Sequence, residues 1–239
     1  MEIGAATSAG CVRPVNEDAY YVSDPNSSAM VLAIIADGMG GHNAGEIASG
    51  KAVAIVQEEV LAKGDKSAKE ILVKAVDDAN REIHEMSKKK KSLSGMGTTI
   101  TACVAENKYV TVVQVGDSRL YQIRKNSITQ ITKDHSLVEL LVENGEITKE
   151  EAKSHPQKNI ITRAVGTEKT VESDVYEFKT KKDDVILLCS DGLVNMVEDE
   201  TILSVVSTAK NLEEAANTLV SEAEAAGGTD NITVILIQF

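Results

Sequence analysis

The sequence predicts an α+β fold of four layers, α/β/β/α, in which two antiparallel β-sheets stack face to face and helix pairs cover their outer surfaces. Three observations predict it. Ten runs of alternating or β-branched residues read as strands. Several are joined by short polar turns, such as Glu106-Asn107-Lys108 and Lys125-Asn126-Ser127, that suit hairpins. The helical stretches come in pairs, one after an early strand and one before the last.

Along the chain, strands are expected at about residues 2–9, 19–23 and 29–36. A helical stripe follows over 44–61. A second helix starts at Ser67, where Glu70 completes a capping box and Ile71, Leu72, Ala75, Val76, Ala79 and Ile83 recur at helical spacing. Lys88 to Lys91, with Ser92, Ser94 and Gly95 behind them, read as a solvated loop. Further strands are expected at 98–105, 109–116, 119–124 and 128–132. Residues 137–160 carry short helical signals, including a capping box from Thr148 to Glu151, and read as a flap inserted over a sheet edge. Strands at 173–179 and 184–190, helices at 201–209 and 212–225 (Asn211 as N-cap) and a last strand at 231–238 complete the chain. No repeat or Pro-rich linker divides it, so a single domain over 1–239 is expected.

The chain has 239 residues, 42% of them apolar and 26% charged, the composition of a folded domain rather than a disordered one. Aromatics make up 3% and Trp is absent, so the core must be aliphatic. A net charge of −12 and a pI near 4.9 disfavour nucleic acid as a partner. The first residues have no basic region followed by an apolar stretch, and the longest apolar run, from Ala29 to Ala36, is too short to span a bilayer. Neither a leader nor a membrane partner is therefore expected. Cys11, Cys103 and Cys189 form no metal or disulfide spacing, as suits a reducing cytoplasm.

Most acidic residues fall on helix faces or in turns. Four do not. Asp37 and Asp191 follow apolar strands and each precedes a glycine, Asp117 follows a strand and Gly116, and Asp230 lies just after Gly228 and before the last strand. Any one of these is an ordinary turn. Four at strand mouths together are a different matter, because a carboxylate beside a core is costly unless paired or metal-bound. All-oxygen donors suit Mg²⁺ or Mn²⁺, with Ca²⁺ a further candidate, and the Cys and His spacing argues against zinc. One aspartate bridging two such ions would build a centre that activates water for phosphoester hydrolysis. Arg13-Pro14-Val15-Asn16-Glu17-Asp18 adds a guanidinium that matches phosphate, and Glu17 and Asp18 suit hydrogen bonds to waters on a metal.

These segments, with Asp37-Gly38-Met39-Gly40-Gly41-His42, Gly95-Met96-Gly97-Thr98-Thr99, Val115-Gly116-Asp117-Ser118-Arg119, Asp134-His135-Ser136, Cys189-Ser190-Asp191-Gly192 and Gly228-Thr229-Asp230-Asn231, stand in order from end to end. The chain resembles the bacterial metal-dependent protein phosphatases of type 2C. The resemblance covers essentially all of it and implies a serine/threonine phosphatase. Asp37 would bridge two ions of Mn²⁺ or Mg²⁺, the Gly38 carbonyl would bind the first, and Asp191 and Asp230 the second. Asp117 would hold a third, weaker ion. Arg13 would bind the phosphate, and Asp18 would support the metal centre. Animal members carry a histidine directly after the first Asp-Gly; here Met39 stands there, and His42 is the candidate acid.

The implied reaction is direct attack of a water bridging the two ions, without a phosphoenzyme. The implied partners are phosphoserine and phosphothreonine proteins and a kinase of eukaryotic type, with the enzyme a cytoplasmic monomer. A non-catalytic metal-binding regulatory module of the same fold is an alternative from another class. A nucleotide-binding NTPase is a weaker one: Gly45 to Lys51 satisfies G-x-x-x-x-G-K, but Ala52 stands where a metal-binding hydroxyl should be, and Ile47 and Ala48 suit a helix. His84, His135 and His155 are read as structural, His135 at the rim of the site.

Overall fold

The apolar strands carry apolar residues at every position because their two faces enter two different cores. In the computed structural model, which describes residues 1–26, 30–41, 44–62, 64–106 and 108–239, Val31, Ala33 and Ile35 point one way and Leu32, Ile34 and Ala36 the other. The first set meets Cys103, Val112, Leu120, Ile186, Leu188, Ile235 and Ile237 between two sheets, and the second packs under helices.

In chain order the strands are β1 (Glu2–Ser8), β2 (Asp18–Val22), β3 (Met30–Met39), β4 (Gly97–Thr98), β5 (Ile100–Glu106), β6 (Tyr109–Val115), β7 (Arg119–Arg124), β8 (Ser127–Gln130), β9 (Asp174–Lys179), β10 (Val185–Cys189) and β11 (Ile232–Gln238). One sheet has the order β1-β11-β10-β7-β8. The other runs β2-β3-β5-β6-β9, with β4 paired to β3. Every pairing of these strands is antiparallel. Helices α1 (Ala44–Leu61) and α2 (Ala68–Lys89) cover the second sheet, and α6 (Asp199–Thr208) and α7 (Leu212–Ala225) cover the first, with the short α5 (Asp191–Val194) beside them. The four-layer expectation is met.

Between β8 and β9, which are the outer strands of the two different sheets, lie α3 (Leu137–Glu143) and α4 (Lys149–Lys153). An antiparallel bridge from Ser136 to Ile161 closes this insertion at its base. The expected caps at Ser67, Thr148 and Asn211 are all formed. Gly45 to Lys51 lies inside α1 with Gly45, Ala48 and Ser49 buried, so no phosphate-cradling loop forms there.

Three expectations need correcting. Lys88 and Lys89 belong to the last turn of α2, where cations favour the exposed carbonyls, and a 3-10 turn follows over Lys91–Leu93. The strand expected at 98–105 breaks at Thr99, which turns its N–H to the Asp37 carbonyl and accepts the Asp37 N–H on its hydroxyl. The early strand does not stop at Ala36 but continues through Asp37 to Met39; its expected first residue, Ala29, and Asn107 of the first hairpin turn lie outside the described residues. Among the described residues, no helix is long and apolar enough to cross a membrane.

Candidate active site

The strand ladder itself brings the first two carboxylates together, since Asp18 on β2 is the direct register partner of Asp37 on β3. Asp37 is fixed by its backbone: its N–H donates to Thr99 Oγ1 at 2.9 Å, and its carbonyl accepts from the Thr99 N–H and the Thr98 hydroxyl. Gly38 is required beside it. A Cβ there would run into the carbonyl oxygens of Gly45 and Glu17, and Gly38 N–H donates to that same Glu17 oxygen at 3.1 Å.

Asp18 is held at one oxygen only. Ser190 Oγ donates to Oδ2 at 2.8 Å and Thr233 Oγ1 at 2.6 Å, while Oδ1 is buried with no hydrogen-bond partner. Asp191 opens α5. Asn195 Nδ2 donates to its Oδ2 at 2.9 Å, and its Oδ1 is likewise buried without a partner. Asp117, 9% exposed, sits on the loop after β6, which is anchored by Thr99 Oγ1 to Ser118 Oγ at 2.8 Å and by Thr101 Oγ1 to the Ser118 carbonyl at 2.9 Å.

The electrostatics follow from this crowding. Burial, reinforced by Asp18, Asp191, Asp117 and Asp230, pushes the Asp37 carboxyl well above the usual carboxylate range. Burial likewise pushes Asp18 up to about 7, Asp117 to about 8 and Asp191 to about 6, with neighbouring aspartates adding to each shift. Asp37 keeps partial contact with solvent despite its depth, as a group on the floor of a cleft does. Asp230 is the exception in having a cation: Arg13 Nη2 lies 2.8 Å from its Oδ2, so two of the expected site residues pair directly across the chain. Arg119 faces the same region but is committed to Asp134 through Nε and Nη2.

The expected residues Arg13, Asp18, Asp37, Gly38, Asp117, Asp191 and Asp230 therefore gather at one end of the sandwich. His42 lies outside the described residues. A cavity of 670 Å³ leads from this end, between the flap and α5–α6, with Asp117 and Asp191 among its lining residues and Lys153 Nζ joined to Glu198 Oε2 at 2.9 Å. The larger cavity, of 850 Å³, touches none of these aspartates.

Sequence reasoning included Asn231 in a motif but gave it no role. Its Oδ1 accepts the Glu17 N–H at 2.8 Å and its Nδ2 donates to the carbonyls of Ala9 and Val15, so it clamps the whole loop that carries Arg13. Gly45 was missed as well: a Cβ there would meet Glu17 Oε1 at 2.6 Å. The only available signal was adjacency, Asn231 to Asp230 and Gly45 to the Gly-rich turn.

An α/β/β/α sandwich with buried aspartates and an arginine at one end suits a metal-dependent phosphoester hydrolase. The sequence profile of the protein phosphatase 2C family matches residues 12–227, and the chain belongs to that family. The serine/threonine phosphatase Stp of Listeria monocytogenes is 40% identical over 238 residues, covering 97% of this chain and 93% of that protein. The crystal structure of serine/threonine phosphatase Stp1 from Staphylococcus aureus superposes with a TM-score of 0.94 at 35% identity, over 100% of this chain and 94% of that one. The catalytic domain of the phosphatase PstP in complex with two manganese ions gives 0.88 at 36% identity, over 98% and 96%. The protein is thus a metal-dependent serine/threonine protein phosphatase.

Proposed function

We propose that the acidic floor is a two-cation centre for Mn²⁺ or Mg²⁺, and that the chain removes phosphate from phosphoserine and phosphothreonine by direct attack of water on phosphorus. The observation that carries this reading is buried carboxylate oxygen without a partner, Asp18 Oδ1 and Asp191 Oδ1. An anion left in that state costs several kcal/mol, a cost that a hard cation removes. Asp37 would bridge the two ions, with the Gly38 carbonyl on the first and Asp191 and Asp230 on the second. Asp117 would hold a third ion more weakly. Among the described residues, no three His, Cys, Asp or Glu side chains close a metal cage by themselves. When bound, such ions lower the pKa of a coordinated water and offset the charge on the phosphoryl oxygens.

The chain's own groups do the rest. Arg13 is half exposed and pairs with one carboxylate, so its planar fork is free to turn to phosphate oxygens at the mouth. Asp18, held by Ser190 and Thr233, keeps Oδ1 available to orient a water. The new bond joins the water oxygen to phosphorus. The bond broken joins phosphorus to the serine or threonine oxygen, which leaves as the alcohol on taking up a proton, with inorganic phosphate as the second product. Covalent catalysis is disfavoured by the neighbours: burial pushes the Cys189 thiol up to about 12, and the Ser190 hydroxyl is spent on Asp18 and the Thr233 N–H.

On this reading the substrates are phosphoserine and phosphothreonine proteins, a serine/threonine kinase of eukaryotic type is the cognate partner, and the enzyme is a cytoplasmic monomer. The flap at about 137–160 borders the approach, with Val138, Glu139 and Lys153 among the residues lining the 670 Å³ cavity. The test is hydrolysis of a phosphothreonyl peptide together with binding of inorganic phosphate, each with Mn²⁺ and after chelation. Both should require the metal, and Asp230→Ala should abolish turnover while the protein stays folded. Phosphate affinity independent of Mn²⁺ would remove the basis of the reading.

A further inference from the structure

We propose that His135 is a positioning residue that clamps the Asp117 loop to the base of the flap, and that ion binding at Asp117 depends on this clamp. The proposal rests on the reading of Asp117 as a metal ligand given above.

His135 is 5% exposed and holds Gly116, the residue before Asp117, at two points. Its backbone N–H donates to the Gly116 carbonyl at 2.9 Å, and the Gly116 N–H donates to His135 Nδ1 at 3.1 Å. Gly116 can accept this grip only as glycine: its φ is +107°, and a Cβ would meet Thr99 Cβ at 2.6 Å. With backbone freedom removed on both sides, the direction in which Asp117 leaves the loop is set by His135 and Thr99.

The same histidine is tied to the flap. Its carbonyl accepts the Thr162 N–H at 2.8 Å, the next residue, Ser136, bridges Ile161, and Leu137 N–H donates to the Ile160 carbonyl at 2.8 Å. Both ends of the flap are thus stitched together at the residue that grips Gly116. The far side of the ring faces Asp174 on β9, with Nε2 3.3 Å from Oδ2. Arg163 Nη1, 2.8 Å from Asp174 Oδ1, and the Tyr176 hydroxyl hold that carboxylate in turn.

The chemistry selects one form of the ring. To accept from Gly116, Nδ1 must present its lone pair, so the proton sits on Nε2, toward Asp174. Burial, aided by the Arg163 guanidinium, holds His135 below its ordinary pKa and so in the neutral form that can accept. Nδ1 is taken by Gly116, and Nε2 lies buried 3.3 Å from Asp174 Oδ2 without an aligned hydrogen bond, so the ring is closed off from solvent and its influence on the reaction passes through Asp117.

The test uses His135→Leu, which keeps bulk but has no acceptor, His135→Asn, whose amide oxygen can replace Nδ1, and Asp117→Ala as the reference for a lost site. Mn²⁺ binding to chelator-treated protein is followed by calorimetry, beside metal-free thermal unfolding and Mn²⁺-dependent hydrolysis. His135→Leu should weaken the weakest Mn²⁺ site by about tenfold or more, as Asp117→Ala does, with the tighter sites within about twofold of wild type. His135→Asn should restore most of the loss. A purely structural histidine would lower the unfolding temperature in both variants and leave Mn²⁺ affinity alone, which overturns the proposal. Failure of His135→Asn to recover binding overturns it too. If Asp117→Ala itself binds Mn²⁺ like wild type, the ligand assignment fails and the proposal with it; if only His135→Leu does, the proposal fails alone. Should His135→Leu not fold, Asp174→Leu, which has no acceptor, carries the test: loss of tautomer control should weaken the same site severalfold, and unchanged binding overturns the clamp.

Discussion

Strand β10 has an aspartate beyond each end, Asp184 before Val185 and Asp191 after Ser190, and the two live under opposite conditions. Asp184, 2% exposed, is fully served: Arg124 donates from Nε to Oδ1 at 2.9 Å and from Nη2 to Oδ2 at 2.6 Å, and the Lys181 N–H donates to Oδ2 at 2.7 Å. Those contacts, chiefly the Arg124 pair, hold its carboxyl below the usual range. Asp191 has one amide donor and one orphaned oxygen, and burial pushes it up to about 6. One strand therefore separates a carboxylate that completes the fold from one that strains it. The proposed metal role of Asp191 would account for that strain, because a bound cation would serve the oxygen the fold leaves alone.

The sharpest way to break this comparison is to remove the charge at each end. Asp191→Asn should lower Mn²⁺-dependent turnover of a phosphopeptide by about a thousandfold or more, while metal-free stability stays level or rises, since a repelled carboxylate has been neutralised. Asp184→Asn should do the reverse, costing about 2 kcal/mol in chemical denaturation through the loss of charge-assisted hydrogen bonds and leaving kcat within about twofold. Equal losses of metal-free stability at the two ends would show that Asp191 is structural after all.

How much of this could be read from the sequence follows from the range of each interaction. The apolar runs of β3, β10 and β11 announced strands, and the Asp-Gly and Gly-Asp steps at Asp37, Asp117 and Asp191 announced the candidate site. Caps at Ser67, Thr148 and Asn211 are local and were legible for that reason. Pairings across the fold were not. Arg13 and Asp230 stand 217 positions apart, and Arg124 and Asp184 60 apart, so the cation that serves either aspartate could not be named from the sequence. Asn231 and His135 stand within the sequence motifs, and His135 reads as a rim residue, but their clamping roles escaped for a related reason: each acts on backbone groups of distant segments, which leave no residue-type signature. The break at Thr99 is likewise tertiary, imposed by two hydrogen bonds to Asp37 that outweigh β-propensity.

Arg13 lies between the two cases, as the one cation that directly pairs with an aspartate of the floor among the described residues. Its side chain is 48% exposed and that of Asp230 31%, so the pair contributes little to stability. Arg13→Lys should leave the unfolding temperature almost unchanged and raise KM for a phosphopeptide by about tenfold, since a point charge replaces a bidentate fork. A large drop in stability with normal KM would move Arg13 to the structural side of the comparison.

The smallest effect expected is in acid, and its sign separates the two ends. A carboxyl whose folded pKa lies below its unfolded value, 3.8 for Asp184, binds fewer protons folded than unfolded as the pH falls toward that value. Its stabilisation is therefore complete above the ordinary carboxylate range and is lost as pH falls through the folded pKa. The stability gap between wild type and Asp184→Asn should hold steady from about pH 7 to pH 5 and narrow only toward about pH 3, as read by urea unfolding at each pH. A gap that instead narrowed as pH rose from about 5 to 7 would mean that Asp184, like Asp191, is a carboxylate with its pKa raised by burial, and that Arg124 fails to serve it.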